Sequence, residues 1–497
     1  MTLTRQAARG AAWQIAAGLI SRIAGLVGTV IITHHIAPDV MGEVAAATVL
    51  AFTANWLSAW GFNQYVIVKG DQQDDNLFHV AILHLSLGIA ALLAVVALED
   101  HFTDFLNAPN LGLYLPGMAL TVAIKRLASI PDKLLMRQMR FRTIAIANAL
   151  GEFTYVGLAV SMVVLTDLGG LAIVIANVVQ ALLVSSIEVS VVGFRSWLSP
   201  KPWNWTRVRE ILNFGTPLAL ETILSEAGRY WDKLMFARLF GPHATGAYTL
   251  AYNLSDLPAT YVGEHVASVL FPTIVQLDPE RRTEIFCRSC GLLALIVFPM
   301  GVGLAAVADS LVSLVLSEEW QDVAGYLLVV PMIALFRPFN SVLASLLMAT
   351  ERNRLLLVFE LFKVIALLGG MWGLSHFGEI AAAAAIGLAM GAQAAGLVFA
   401  MSLRGFPAGM LLRELRGPAL ASLVLLGAVF ATREAFSHVE GVSLFVQLIA
   451  EIAIGAAAYF IGVAAFARPT AMQLMEIARN QLPGRRAEPH ATESPLT

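Results

Sequence analysis

Along its hydrophobic and polar positions, the chain is a series of long apolar runs joined by short polar connections. Runs of about 18 to 25 residues match a hydrocarbon core of ~30 Å. They fall near 11–32, 44–62, 78–98, 113–130, 144–165, 171–193 and 214–238. They resume near 246–274, 288–308, 324–348, 355–375, 380–401, 417–432 and 442–466. The pattern predicts an all-α polytopic membrane protein with about 14 transmembrane helices. Two connections, PDKLLMRQMRFRT (131–143) and WLSPKPWNWTRVREIL (197–212), mix basic residues with Trp, Phe or Leu. That mixture predicts amphipathic cytoplasmic segments seated in the headgroup zone. Past Leu482 the polar, Pro-containing sequence predicts a partly disordered tail.

Composition agrees. The 497 residues are 58% hydrophobic and 13% charged, with mean hydropathy +0.72, against about 25% charged residues in a soluble domain. The net charge of −3 says less than its distribution. If the N-terminus is cytoplasmic, 25 of the 32 Lys and Arg fall in cytoplasmic segments, including the cluster Lys125–Arg142. The outside loops are acidic, with Asp39, Glu99, Asp100, Asp104, Asp309, Glu318, Glu319 and Asp322. This positive-inside pattern predicts both termini in the cytoplasm. MTLTRQAARG runs directly into a full-length apolar segment, so no cleavable signal peptide is expected. Cys287 and Cys290 form one CxxC without further Cys or a clustered His, a pattern that reads as small residues near a helix start rather than a metal site.

The chain repeats itself. His35-Ile-Ala-Pro-Asp-Val-Met-Gly42, after the first span, parallels Leu239-Phe-Gly-Pro-His-Ala-Thr-Gly246, after the seventh. Leu134-Leu-Met-Arg-Gln-Met-Arg-Phe-Arg142 parallels Leu346-Leu-Met-Ala-Thr-Glu-Arg-Asn-Arg354. The offsets, 204 and 212, nearly agree and span six helices. Both copies then enter the membrane in one orientation, which implies two parallel lobes about an axis along the normal. The expected organisation is a six-helix lobe (1–193), an amphipathic linker (194–213), a second six-helix lobe (214–401), two extra helices (402–466) and a cytoplasmic tail (467–497).

The seventh span carries the most unusual chemistry. TPLALETILSEAGRYWDKLMFARLF (216–240) holds Glu221, Glu226, Arg229, Asp232 and Lys233, and each such side chain costs ~3 kcal/mol at the bilayer centre on insertion scales. At about 100° per residue all five fall within one arc of a helix, with Leu220, Ile223, Ala227, Tyr230 and Trp231 on the other side. A helix of this kind is expected to line a hydrated cavity. Arg22, Arg337 and Lys363 are further intramembrane cations. Glu152, Glu188, Asp256, Glu264, Glu360 and Glu451 are expected to be structural or cavity-lining carboxylates, and His79, His84 and His265 packing residues.

Several segments together resemble the polysaccharide-transporter branch of the multidrug/oligosaccharidyl-lipid/polysaccharide exporters, the Wzx-type flippases. They are HHIAPDVMG (34–42), WGFNQYVIVKG (60–70), ILNFGTPLAL (211–220), YWDKLMFARLFGPHATGAYTLAYNL (230–254), VLFPTI (269–274), SEEWQDVAGYLL (317–328) and MATERNR (348–354). His35 departs from the basic Arg common there, and Ser317-Glu-Glu-Trp320 from the usual Gly and Lys before the Trp. The resemblance implies two lobes around a central cavity and alternating access. It also implies an undecaprenyl-diphosphate oligosaccharide as substrate, in a bacterial inner membrane. On that reading Arg22, Arg229, Lys233 and Arg337 are candidates for substrate contact, since guanidinium forks and ammonium groups pair with phosphate oxygens. The opposing reading is ion pairing within the helix, Glu226–Arg229 and Arg229–Asp232. Glu221, Glu226 and Asp232 are candidates for H⁺ or Na⁺ coupling or for gating. Membrane lipids, and polymerase or export proteins, are the implied partners; no cofactor, metal, nucleic acid or enzymatic reaction is expected. A drug or metabolite antiporter and a lipid II flippase are the rival transporters. A membrane glycosyltransferase or O-antigen ligase or polymerase is the rival enzyme, which the outside connections of about 15 residues are too short to accommodate.

Overall fold

A computed structural model describes residues 24–69, 76–258, 279–350, 352–439 and 441–481, together with Gly18, Arg22 and Thr260. All regular structure among them is helical. In chain order the helices are α1 (Ala24–Thr33), α2 (Pro38–Leu57), α3 (Phe62–Lys69), α4 (Asn76–Ala97), α5 (Glu99–Leu106) and α6 (Leu111–Arg137). Then come α7 (Phe141–Leu165), α8 (Gly170–Val192), α9 (Trp205–Pro258), α10 (Pro279–Ala306), α11 (Ala308–Val315) and α12 (Val323–Leu327). The last six are α13 (Met332–Ala349), α14 (Asn353–Leu374), α15 (Glu379–Ser402), α16 (Ala408–Ser437), α17 (Leu444–Phe466) and α18 (Arg468–Gln481).

Eleven of these are long and apolar enough to cross a membrane, and they coincide with eleven of the expected spans. The other three spans are special cases. Of 11–32 only Gly18, Arg22 and the end, as α1, are described. The highly charged 214–238 and the start of 246–274 belong to α9, and 259–278 lies outside the described residues apart from Thr260. His265 and Glu264 fall there too. The expected count of fourteen rests on those three segments.

The chain divides into two compact units: Met1–Asn253 with Leu311–Val329 and Leu357–Ala389, and Leu254–Ser310 with Val330–Leu356 and Met390–Thr497. In the first unit, residues of α2, α4, α6, α7 and α8 form one buried apolar cluster, with Ala47, Leu111, Leu115, Ala159 and Ala172 at its centre. In the second, α16 and α17 pack closely through small residues: Gly462 lies against Ala421 and Gly417 against the carbonyl of Phe466. Small residues let backbones approach where lipid supplies no hydrophobic drive between helices.

Two expectations about connections are corrected. The segment 131–143 is not a separate surface helix, because α6 continues through Pro131 to Arg137. Proline costs the helix one hydrogen bond, but Ile130 and Leu134 are buried in a cluster with Phe62, Tyr65, Leu77 and Val80. Nor is 197–212 simply a headgroup anchor. Trp197 and Ile211 are buried in that same cluster, while Trp203 and Trp205 are exposed. Helix α9 already begins at Trp205, inside the expected linker. In both segments tertiary burial decides what amphipathic composition left open. In the expected tail, 468–481 is helical and 482–497 lies outside the described residues.

Helix α6 also carries Arg126 inside, at 2% exposure. Its Nε donates to the carbonyl of His84 at 2.7 Å. Nη1 donates to Asn55 O at 3.1 Å, Asn55 Oδ1 at 2.6 Å and Ser58 Oγ at 2.9 Å, and Nη2 to Ser58 O at 2.9 Å. The guanidinium thus caps the C-terminal carbonyls of α2, where a cation also opposes the negative end of the helix dipole. Gly88 makes room for it, since a Cβ there would lie 1.8 Å from Nε.

Candidate functional site

The site is built around the two copies of the repeated motif. Helix α2 starts at Pro38, and the second segment of α9 starts at Pro242, just after Gly241 turns the chain with φ 82°. Proline fits the first turn of a helix because its missing N–H has no intrahelical partner there. Four residues on, each helix has a glycine. A Cβ on Gly42 would lie 2.0 Å from the carbonyl oxygen of Pro242, and one on Gly246 would lie 2.0 Å from that of Pro38. The contact is reciprocal, each motif receiving the other, as in a two-fold interface. Next to it, His243 Nδ1 is 2.9 Å from Asp39 Oδ1 and Nε2 is 3.2 Å from Asp322 Oδ2, all three residues exposed. Trp320, fully buried, donates to Ile36 O at 3.1 Å, and Ser317 to Thr33 O at 2.9 Å. The second of the two family departures thus keeps its Trp as an anchor.

Beneath this crossing lies a cavity of about 290 Å³ lined from α1, α2, α6, α7, α8 and α9. Met41, Val44, Phe52 and Leu250 supply apolar wall; Thr29, Thr48, Asn177, Thr249 and Asn253 supply hydroxyl and amide groups; Lys233 supplies a positive charge. Thr29 and Thr48 donate back to carbonyls of their own helices at 2.9 and 2.7 Å, leaving their oxygens as acceptors.

Lys233 is held in place by its neighbours. Its Nζ lies 3.5 Å from the centroid of the Tyr252 ring and 5.4 Å from that of Tyr230, a cation–π arrangement worth ~2 kcal/mol when desolvated. Asp232 Oδ1 is 3.6 Å away. Asp232 is fully buried and its Oδ2 accepts from the Tyr248 hydroxyl at 2.7 Å. Tyr248 stacks on Phe236 at 4.4 Å and meets the edge of Tyr326, whose hydroxyl donates to Glu379 at 2.5 Å. An aromatic framework therefore positions one carboxylate and one ammonium side by side.

Burial differs from charge to charge along the seventh span. Asp232 and Lys233 are buried; Glu221 is exposed. Glu221 interacts electrostatically with Glu226, Glu360 and Lys363. Lys363 is paired with Glu360 and lies against Gly228, where a Cβ would come 2.5 Å from its Cε. Arg229 is half-buried with its guanidinium 5.7 Å from the Tyr230 ring, and its carbonyl accepts from Tyr252 at 3.1 Å. Tyr230, expected on the opposite side, lines the cavity. Trp231 donates to Thr53 of α2 at 3.2 Å.

The remaining candidates lie elsewhere. Arg22 is exposed and acts electrostatically on Glu152, which Gln180 hydrogen-bonds at 3.2 Å. Near it a second, polar cavity of about 380 Å³ is lined by Lys125, Asp132, Asn148, Gln180 and Glu188. Arg337, in the second unit, is ion-paired with Asp256. Of the four expected substrate contacts, Lys233 alone lines the cavity under the crossing. Arg126 and the tyrosines around Lys233 escaped sequence reasoning. Arg126, inside the expected span 113–130, was hidden by counting it with the cytoplasmic cluster Lys125–Arg142. For the tyrosines a signal was present: Tyr248 and Tyr252 sit four apart, on one face of a helix. Cys287 and Cys290 are buried thiols in α10.

Fold and site define a multi-pass helical membrane protein with a charged cavity among its helices. Residues 31–325 match the family described as "Polysaccharide biosynthesis protein", and the chain belongs to it. It is 25% identical over 368 residues to the lipopolysaccharide biosynthesis protein WzxC of Escherichia coli (strain K12), covering 73% of this chain and 74% of that one. It is 24% identical to the teichuronic acid biosynthesis protein TuaB of Bacillus subtilis (strain 168), covering 64% and 65%. Among solved structures, the lipid II flippase MurJ in an inward closed conformation superposes with TM-score 0.73 at 16% identity, over 91% of this chain and 98% of that one. An inward-facing multidrug resistance MATE transporter gives TM-score 0.61 at 14% identity, over 77% and 94%. These two likenesses are of fold.

Proposed function

We propose that this protein carries a lipid-linked anionic oligosaccharide across the bacterial inner membrane for surface polysaccharide assembly, with both termini in the cytoplasm. The observation that carries the reading is the placement of Lys233 in a hydroxyl- and amide-lined cavity where membrane helices converge. A diphosphate or acidic sugar is too polar to cross hydrocarbon unaided. It needs a cation and hydrogen-bonding groups at depth, while its lipid tail stays in the bilayer. Family membership and the similarity to WzxC and TuaB support that substrate class.

At about 290 Å³ the cavity is at the small end of ligand sites, which run from about 300 to 1,000 Å³. An oligosaccharide requires it to widen, and the Pro38–Gly42 and Pro242–Gly246 crossing is the contact that parts when it opens outward. Lys233 then exchanges Asp232 for substrate anion, with Arg229 and Arg22 as further contacts on the route. Glu221, Glu226 and Asp232 are the proposed sites of H⁺ or Na⁺ coupling, supported by the electrostatic grouping of Glu221 with Glu226, Glu360 and Lys363. The role is that of a carrier rather than an enzyme.

Deletion of the gene tests the reading. The expected result is loss of surface polysaccharide with accumulation of lipid-linked repeat units on the cytoplasmic side. Unchanged polysaccharide with altered resistance to cationic drugs would overturn it in favour of an antiporter.

A further inference from the structure

In the second unit, α10, α16 and α17 enclose an apolar groove of about 470 Å³, with Ile296, Met300, Leu425, Ile452 and Phe460 among its walls. One charged residue lines it, Glu451, which is 0% exposed. Its Oε1 is fully used: it accepts from Ser310 Oγ at 2.9 Å, Gln447 Nε2 at 3.0 Å and Arg433 Nε at 3.2 Å. Its Oε2 accepts from no group among the described residues. A buried carboxylate oxygen without a donor is an exception that asks for an occupant.

The charges around it say what kind. Arg433 also pairs with Asp309 through Nη1 at 2.6 Å and donates to Ala306 O at 2.7 Å. One cation therefore faces two carboxylates, and the cluster favours a positively charged guest over an anionic one. Glu451 lies seven residues into α17, roughly 10 Å along the helix from its start beside the α16–α17 connection. From there the groove runs along α17 to Phe460, roughly 14 Å further. That is a polar end in the first third of α17 continued by an apolar channel, an order that suits a headgroup followed by an acyl chain.

We infer that this groove binds a membrane lipid with a primary ammonium headgroup, a phosphatidylethanolamine, whose N–H donates to Glu451 Oε2 while its acyl chain fills the groove. The inference is independent of what the protein transports. Phosphatidylglycerol brings no cation to the cluster. Phosphatidylcholine brings the same charge but no N–H donor.

The test is native mass spectrometry of the full chain extracted from nanodiscs containing the three lipids in equal amounts. Phosphatidylethanolamine should be retained about tenfold over each of the others, the discrimination that one charge-assisted hydrogen bond provides. Glu451→Gln should remove that preference. Because Glu451→Gln also disturbs its partners, Gly303→Leu is the second variant. Gly303 lines the groove and a Cβ there meets nothing within 4 Å, so leucine fills the space and improves helix propensity. It should cut phosphatidylethanolamine retention about tenfold with the unfolding temperature unchanged or raised. Equal retention of the three lipids, or of phosphatidylcholine and phosphatidylethanolamine, overturns the inference. So does unchanged retention in Gly303→Leu, or recovery of a polyprenyl phosphate in place of the phospholipid.

Discussion

Alanine at Gly42 probes the crossing directly. Its Cβ would stand 2.0 Å from the carbonyl oxygen of Pro242, whereas ordinary contact begins at 3.4 Å. The helices must therefore part by about 1.4 Å, because the obstacle is backbone and cannot rotate away. Overpacking of this kind costs ~1–3 kcal/mol, so ~2 kcal/mol is expected here, a roughly 30-fold shift of the equilibrium toward the parted crossing. Gly246→Ala meets the mirror-image obstacle, the carbonyl of Pro38. Once one substitution has parted the helices, the second meets less resistance, so the double variant should cost less than the two singles together. The readout is a cysteine at Thr249, in the cavity wall, placed in a Cys287→Ser/Cys290→Ser background. Labelling by a membrane-impermeant maleimide added outside should be about 30-fold faster in Gly42→Ala than in its parent. Equal labelling rates, or strictly additive effects, would refute the crossing as an outward barrier.

Three further outcomes follow from the same geometry. Lys233→Ala should abolish polysaccharide export and, by stranding the buried Asp232, destabilise the protein by ~3 kcal/mol; Asp232→Asn/Lys233→Ala should recover stability but not export. Recovery of export in that double variant would make Lys233 a mere partner of Asp232. Arg126→Met should lower stability by at least ~3 kcal/mol and Arg126→Lys should not rescue it, because an ammonium cannot span the five acceptors from His84, Asn55 and Ser58; a fall in unfolding temperature no larger than that of a surface variant would contradict this. Arg337→Met should be destabilising alone and largely tolerated with Asp256→Asn, since together they remove the ion pair; if the double variant folds but does not export, Arg337 also meets substrate.

How far the sequence reached can be judged from particular residues. Eleven spans were legible because a 20-residue apolar stretch has few stable places other than a bilayer. The 204-residue repeat was legible as Pro and Gly at one spacing, and it pointed to the two helix starts that meet. The charged seventh span stood out because the cost of burying charge is large. Its internal arrangement did not, because angles around one helix say nothing of which neighbour covers which part. Asp232 and Lys233 are buried among Tyr230, Tyr248 and Tyr252, and Glu221 stands apart with Glu360 and Lys363.

The amino-acid sequence by itself thus determined the helical membrane class and most of the spans, through local periodicity and transfer free energy, which act residue by residue, and it pointed to the family through the resemblance of its motifs and their order. The tertiary structure alone decided that Pro38 and Pro242 cap each other's glycines, that Arg126 is an interior bolt, and that Lys233 is the cation in the cavity. Those facts depend on which helices pack together, and packing is a property of pairs of residues some 40 to 208 positions apart.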